Sequence, residues 1–530
     1  MTSIVDIFVG LLLAVVMLAL LAQKLSVPKP ILFVLGGLAL SLIPKLPEVQ
    51  LDPQLVFQFF LPPLLFPAAL FTSWRDFRAS LRPISLLAVG LVLLTTLAVA
   101  LLAHYVMGLP LAVGFVLGAI VSPPDAIAAS AIADSLKVPR RIVTILEGES
   151  LVNDATALVA YRFAVLAVVT GSFSLPQAAG NFVIISLGGL LIGFIIGWLA
   201  EHFHQRVEDA PIEVTVSLLT PFVAYLLAEQ LHVSGVLAVV TAGLYLGWRM
   251  PELLDFKTRL HGGPVWEMVE FLLNGFVFIL IGLQLPKVID ALSTQAIPVH
   301  RLVSYALMTT LALILVRILW VFPAIYLPHW ISRRHPKSNP LPRWRHVTII
   351  AWTGMRGVIS LAAALALPLT LRDGSPFPGR DLILFLTFTV ILGTLVLQGL
   401  SLPLLIRWLG IKEDVLSASE ERKARLKANQ EAFASLNEIE ENDPAKADAL
   451  RRLRLEYEDH IRQAEGAASA SVGTPLRLFS TEYERLSLAA LQQERHTIIH
   501  LRNENVISDE VLRRIQRDID LAEARLGRRQ

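Results

Sequence analysis

Ser122-Pro123-Pro124-Asp125 interrupts an apolar stretch at 110–134, and the next apolar stretch, 142–170, carries Glu147-Gly148-Glu149-Ser150-Leu151-Val152-Asn153-Asp154. Two consecutive prolines remove two amide donors and clash with the preceding turn, so an unbroken helix is not expected at 122–125. At membrane depth a broken helix is tolerated where it lines a cavity, and its freed ends can coordinate ions. Asp125 stands where the second half-helix begins, placed to cap free amides and to meet the positive end of the helix dipole. Capping alone is the competing reading of that residue.

In the second run, Ser150 and Asp154 are four residues apart and share one helix face, while Glu149 and Asn153 share the adjacent stripe. Two carboxylates, a hydroxyl and an amide are hard oxygen donors suited to a small alkali cation. Dehydration favours the protonated form of Asp154 and a bound cation favours the ionised form. One carboxylate would then hold a proton or a cation in alternation, the simplest chemical basis for exchange. Hydrogen bonding between helices is the alternative for any one of these groups; their density beside a broken helix favours a site.

The surroundings of these runs are those of a membrane protein. The chain has 530 residues, 54% hydrophobic and 17% charged, where about a quarter charged is usual for a soluble domain. Lys, Arg, Asp and Glu number 43 in the 120 residues 411–530 and 47 in the first 410. That asymmetry predicts a transmembrane domain over 1–410 and a soluble, helical, cytoplasmic tail over 411–530. Thirteen spans are expected, near 4–23, 29–45, 53–71, 83–107, 110–134, 142–170, 181–203, 212–230, 232–248, 266–289, 301–327, 346–371 and 381–409. The division between the eighth and ninth rests on Glu229, His232 and Gly235. Only Met1 to Ile4 precede the first span, without Lys or Arg, which reads as a retained helix rather than a secretory signal. With the N terminus outside, seventeen basic residues fall in inward loops and five in outward ones, following the positive-inside rule and placing the tail in the cytoplasm.

The ionisable residues left inside apolar stretches are the informative ones, because an unpaired charge at mid-membrane is costly. They include Arg162, Arg317 and Arg356 besides the acidic groups above. Arg356 lies in Thr353-Gly354-Met355-Arg356-Gly357, a second glycine-flanked interruption, in the twelfth span. That span is fifth when counting starts at the eighth, as the Pro-Pro span is fifth from the first. Two inverted six-helix repeats with corresponding broken helices are the pattern of a secondary transporter. Arg356 and Arg317 are both candidates to pair with Glu149, and both read as structural, since a guanidinium repels a cation.

The chain has no cysteine, which excludes disulfides, cysteine-ligated metal and thiol chemistry. It has no His-Glu-x-x-His pair and no phosphate-cradling glycine loop, so neither a zinc protease nor an ATP-driven pump has support. A net charge of +2 gives no reason to expect nucleic acid. Within the tail, helices are expected at Ser417–Glu441 and Pro444–Ala464, a linker at Gly466–Thr474, and further helical segments from Glu482 and from Ser508-Asp509-Glu510. Regulation or dimer stabilisation is the reading preferred for it. A gated channel would want a continuous pore, and an intramembrane enzyme using Asp125 and Asp154 would want a substrate pocket; neither is marked in the sequence.

Residues 1–410 resemble the sodium/proton exchanger branch of the monovalent cation/proton antiporters, family one, in its bacterial form. The resemblance is carried by Ser122-Pro-Pro-Asp125, Glu147-Gly-Glu-Ser-Leu-Val-Asn-Asp154 and Thr353-Gly-Met-Arg-Gly357, with weaker support from Leu61-Pro-Pro-Leu-Leu-Phe66 and Asn274-Gly-Phe-Val-Phe-Ile-Leu-Ile-Gly282. It implies a thirteen-span fold, a homodimer in the plasma membrane, and a core domain moving like an elevator. It further implies that Asp154 alternately binds Na+ and H+, with Asn153 beside it, Ser150 contributing to the site and Glu149 paired with Arg356. The Asn-Asp pair implies electroneutral exchange, and no cofactor beyond the transported ions, with membrane lipid as the surroundings. Two departures stand out. Pro67 replaces an acidic residue common after the Leu-Pro-Pro-Leu-Leu-Phe string, and Pro124 replaces a threonine found before the broken-helix aspartate.

Overall fold

The computed structural model describes residues 4–25, 27–43, 54, 56–126, 129, 130, 132, 133, 136, 138–172, 174–207, 209–254, 256–293, 298–331, 343–371, 374–411 and 415–437, with 450, 451, 454, 455, 457, 458, 461, 462, 491, 518, 519, 521 and 522 beyond. Apart from one isolated bridge between Thr370 and Pro376, the regular structure among these residues is helical. This is the expected outcome for apolar sequence, since a helix satisfies its own amides and carbonyls where water is absent.

The helices are α1 (Ile4–Leu25), α2 (Lys29–Ser41), α3 (Val56–Leu70), α4 (Trp74–Ala79), α5 (Leu81–Met107), α6 (Leu111–Val121), α7 (Arg140–Thr170) and α8 (Leu175–His204). They continue as α9 (Ala210–Gln230), α10 (Gly235–Leu253), α11 (Phe256–Ser293), α12 (Val299–Ile331), α13 (Trp344–Trp352), α14 (Val358–Leu365), α15 (Arg380–Trp408) and α16 (Val415–Asn437). Eight helices among the described residues are long and apolar enough to cross a membrane, and four shorter apolar ones accompany them. Each window read from the sequence contains helix, and α9 and α10 are separate, with Ser234 Oγ accepting from Leu237 N at 3.3 Å to start α10. Faces turned away from the protein are as apolar as the interior: Leu13, Ile184, Leu191 and Leu319 are all at least 60% exposed. Such surface suits lipid rather than water.

The chain falls into two compact units, Met1–Glu413 and Asp414–Gln530. In the second, α16 and the described residues of 450–462 are helical, and Arg454 Nη2 donates to Leu436 O at 3.0 Å. The linker expected at Gly466–Thr474 lies outside the described residues; of the segment expected from Ser508, residues 518, 519, 521 and 522 are described, and they are helical. Of the stretch expected from Glu482, Leu491 alone is described, and it is helical.

Two details depart from regular helix. Backbone at Val56–Phe60 and Leu86–Leu91 is π-helical, and the Leu86 carbonyl accepts from Trp320 Nε1 at 3.0 Å. Helix interruptions of this kind sit where packing, not propensity, decides the backbone. Elsewhere glycine allows close approach. A methyl at Gly37 would lie 2.9 Å from the Ile279 carbonyl carbon, and one at Gly282 would lie 2.6 Å from Leu38 N, so α2 and α11 meet backbone to backbone. Gly37→Val is therefore expected to destabilise the protein by about 1–3 kcal/mol through overpacking. Gly36→Ala, which meets only the flexible end of Leu18, should change little. Thermal unfolding of the purified protein in detergent measures the difference.

Candidate functional site: two crossed broken helices and a buried carboxylate

α6 stops at Val121, and helical backbone is seen again at 129–133 among the described residues; α13 stops at Trp352 and α14 begins at Val358. The two interruptions meet. Asp125 N donates to Met355 O at 2.7 Å, joining one break to the other. Arg356 donates from Nε to Val121 O at 3.0 Å and from Nη1 to Gly354 O, so its charge sits at the carbonyl ends of both α6 and α13. A cation is favoured there by the negative end of each helix dipole. Its backbone amide is taken by Thr394 Oγ1 of α15 at 3.1 Å.

α7 holds the far side of the first break. Asn153 Nδ2 donates to Pro124 O at 2.8 Å, and Ser150 Oγ accepts from Ala126 N at 3.3 Å. The free amide of Ala126 is thus bound by a hydroxyl on α7. Asn153 does not line the cavity described below; its amide fastens α7 to the break. Gly357 is glycine for a visible reason: a methyl there would lie 2.5 Å from Asp125 Cγ.

Glu149 pairs with Arg317, not with Arg356. Arg317 Nη1 and Nη2 reach Glu149 Oε1 and Oε2 at 2.6 and 2.8 Å, and both side chains are 1% exposed. The planar guanidinium meets the carboxylate in a two-point fork. Arg317 Nε also donates to Ile350 O at 3.2 Å, tying α12 to α13. Arg356 has its own donors committed to carbonyls, which is why the pairing implied by resemblance does not form. Arg162, also counted inside an apolar stretch, is bound to Glu229 at 2.8 and 2.9 Å and is half exposed.

Asp154 is 4% exposed and opens onto a cavity of about 420 Å³. Asp125, Ser150 and Glu147 line the same cavity, so the structure brings together the acidic and hydroxyl groups singled out in sequence. A smaller recess of about 260 Å³ shares Phe71 and Glu147 with it and runs past Thr144 and Arg140 at the start of α7. The cavity also holds Glu270 and Asn274 of α11, Ser130, and Ser360 of α14; the sequence marked none of them as a site residue, and Asn274 only as the start of a string carrying the family resemblance. A signal for the first two existed: an acidic residue and an amide four apart within an apolar stretch share a face.

A buried carboxylate with oxygen neighbours, set between broken helices in an all-helical membrane protein, defines a secondary ion transporter. Residues 11–408 match the family described as sodium/hydrogen exchanger, transmembrane, and the chain belongs to that family of cation/proton antiporters. It is 38% identical over 525 residues to an uncharacterized Na+/H+ exchanger of Mycobacterium tuberculosis, covering 98% of this chain and 96% of that one. A sodium, potassium, lithium and rubidium/H+ antiporter of Bacillus pumilus is 35% identical over 481 residues, covering 88% of this chain and 71% of its own. Among solved structures, the sodium proton antiporter MjNhaP1 of Methanocaldococcus jannaschii at pH 8 shares the fold, with TM-score 0.58 and 21% identity, over 76% of this chain and 98% of that one.

The Glu149–Arg317 pair generates a stability test. Arg317→Met leaves Glu149 as an uncompensated buried charge and is expected to cost about 3–5 kcal/mol. Combining it with Glu149→Gln should recover most of that loss. Thermal unfolding of the three variants measures the recovery, and a double variant as unstable as the sum of the singles would contradict the pairing.

Proposed function

We propose that the protein exchanges Na+, with Li+ or K+ as alternative substrates, for H+ across the membrane, and that Asp154 is the group both ions use in turn. The observation that carries this reading is an imbalance of buried charge. Arg317 is spent on Glu149, Arg356 on helix carbonyls and Arg162 on Glu229, while Asp154 makes no ion pair among the described residues. An ionised carboxylate in such a place is costly unless neutralised. A proton or a monovalent cation neutralises it equally, and the two compete for one site. Ser150, one turn away on the same face, adds an oxygen for the cation, and Asp125 adds negative potential in the same cavity. Asn153 acts as a positioning residue through Pro124, and Pro123, Pro124, Gly354 and Gly357 keep the two helices broken.

Because each loaded form of Asp154 carries the same net charge, one cation should replace one proton without net charge movement. The remaining expectations follow as part of the same reading: a homodimer in the plasma membrane, N terminus outside and tail in the cytoplasm, serving pH and sodium homeostasis, with residues 411–530 regulatory. The broad cation range named for the Bacillus pumilus relative supports testing several salts.

In proteoliposomes with an imposed pH gradient, adding NaCl should dissipate the gradient, and Asp154→Asn should abolish that response. Clamping the membrane potential with K+ and valinomycin should leave the Na+-driven rate unchanged. Exchange that survived Asp154→Asn would overturn the shared-carrier mechanism, and a rate that followed the imposed potential would overturn electroneutrality.

A further inference from the structure

The cavity at Asp154 has walls of contrasting chemistry. α3 contributes only apolar side chains to it, Pro67 among them, so none of its side chains can take a cation. Apart from the groups of α7 and the first break, the oxygens come from α11 and α14. Glu270 and Asn274 are one turn apart and share a face of α11, and Ser360 lies in the first turn of α14. Ser360 is 1% exposed and its hydroxyl has no hydrogen-bond partner among the described residues; Asn274 Oδ1 is likewise buried and without one there. Buried polar atoms are nearly always bonded, and one that is not calls for a specific explanation. Here three such atoms, these two and Ser130 Oγ, line the cavity that holds Asp154, a buried carboxylate with no ion pair among the described residues. An amide oxygen can only accept, so what satisfies it must be a cation or a donor hydrogen. A dehydrated alkali ion at Asp154 and Ser150 needs several further hard oxygens to replace its water.

We propose that Asn274 Oδ1 and Ser360 Oγ are cation ligands that complete the site begun by Asp154 and Ser150, and that Glu270 is the acidic group on the α11 wall that draws the cation into the cavity. This rests on the carrier role assigned to Asp154. It divides the labour: Asp154 decides that the ion must be a monovalent cation or a proton, and the neutral oxygens decide which cation.

The experiment is the apparent KM for Li+, Na+ and K+ in proteoliposomes at fixed pH, for wild type, N274A, S360A and E270Q, with D154N in parallel. N274A and S360A should each raise the apparent KM for Na+ about tenfold, the scale of one lost contact to a charged group. They should also change the order of the three cations, with maximal rate held within about twofold. E270Q should raise all three KM values by a similar factor and leave their order intact, and E270D should restore them. The conservative variants N274S and S360T keep an oxygen and should keep the wild-type order, which guards against a folding defect in the alanine variants. Unchanged KM ratios in N274A and S360A, or a loss of maximal rate alone, overturn the ligand assignment while an inactive D154N leaves the carrier reading intact. An active D154N instead removes the carrier reading itself.

Discussion

Breaking a helix where there is no water frees amides and carbonyls that something must bond, and this requirement organises the whole core. The protein meets it by crossing two breaks so that each supplies what the other lacks. The Asp125 amide finds the Met355 carbonyl, Arg356 covers the carbonyl ends at Val121 and Gly354, and α7 provides Asn153 and Ser150 for Pro124 and Ala126. Three stretches distant in sequence are thereby fixed to one point. Asp154 lies one turn beyond Ser150 on the helix that holds the break, so its position is inherited from that network.

Charge is handled with the same economy. Glu149 and Arg317 neutralise each other completely out of solvent, and the fork between them also fixes α12 against α7. A pair of this kind adds little net stability compared with apolar packing, but either member alone would be strongly destabilising. Its consequence at the site is subtraction: a guanidinium is used up close to the carboxylates without reaching Asp154. Gly354 matters in the same way, since a methyl there would lie 2.6 Å from Arg317 Cδ and force the guanidinium aside. At the periphery, Glu201 with Arg249 and Glu229 with Arg162 close two further accounts.

Much of this was legible in the sequence because it rests on local chemistry. Proline pairs break helices wherever they occur, and carboxylates in apolar helices are conspicuous. Partner choice was less legible. Glu149 and Arg317 are 168 residues apart, and only packing shows that Arg356, equally plausible by composition, is turned towards carbonyls instead. Asn153, read with Asp154 as part of the ion site, has its amide nitrogen fastened to Pro124, a contact between residues 29 apart that the sequence does not display. Glu270 escaped, and Asn274 was given no site role, because they are sparse within a long apolar helix, whereas the cluster at 147–154 is dense. The π-helical turns at 56–60 and 86–91 have no sequence signature of their own; they arise from how those helices are packed.

If Asp154 is the shared carrier proposed above, the arrangement leaves room for different cations on one scaffold. The proposed charge and size recognition would then fall on different elements: the carboxylate belongs to α7 and is held by the crossing, while much of the neutral oxygen wall belongs to α11 and α14. Substituting the wall would then alter which ion fits without disturbing the crossing, because none of Glu270, Asn274 or Ser360 takes part in the bonds that join the two breaks. On the proposed mechanism, substituting Asp154 by contrast removes the group for which proton and cation compete. On the proposed mechanism, exchange is thus a property of the fixed part of the core, and cation choice a property of its replaceable lining.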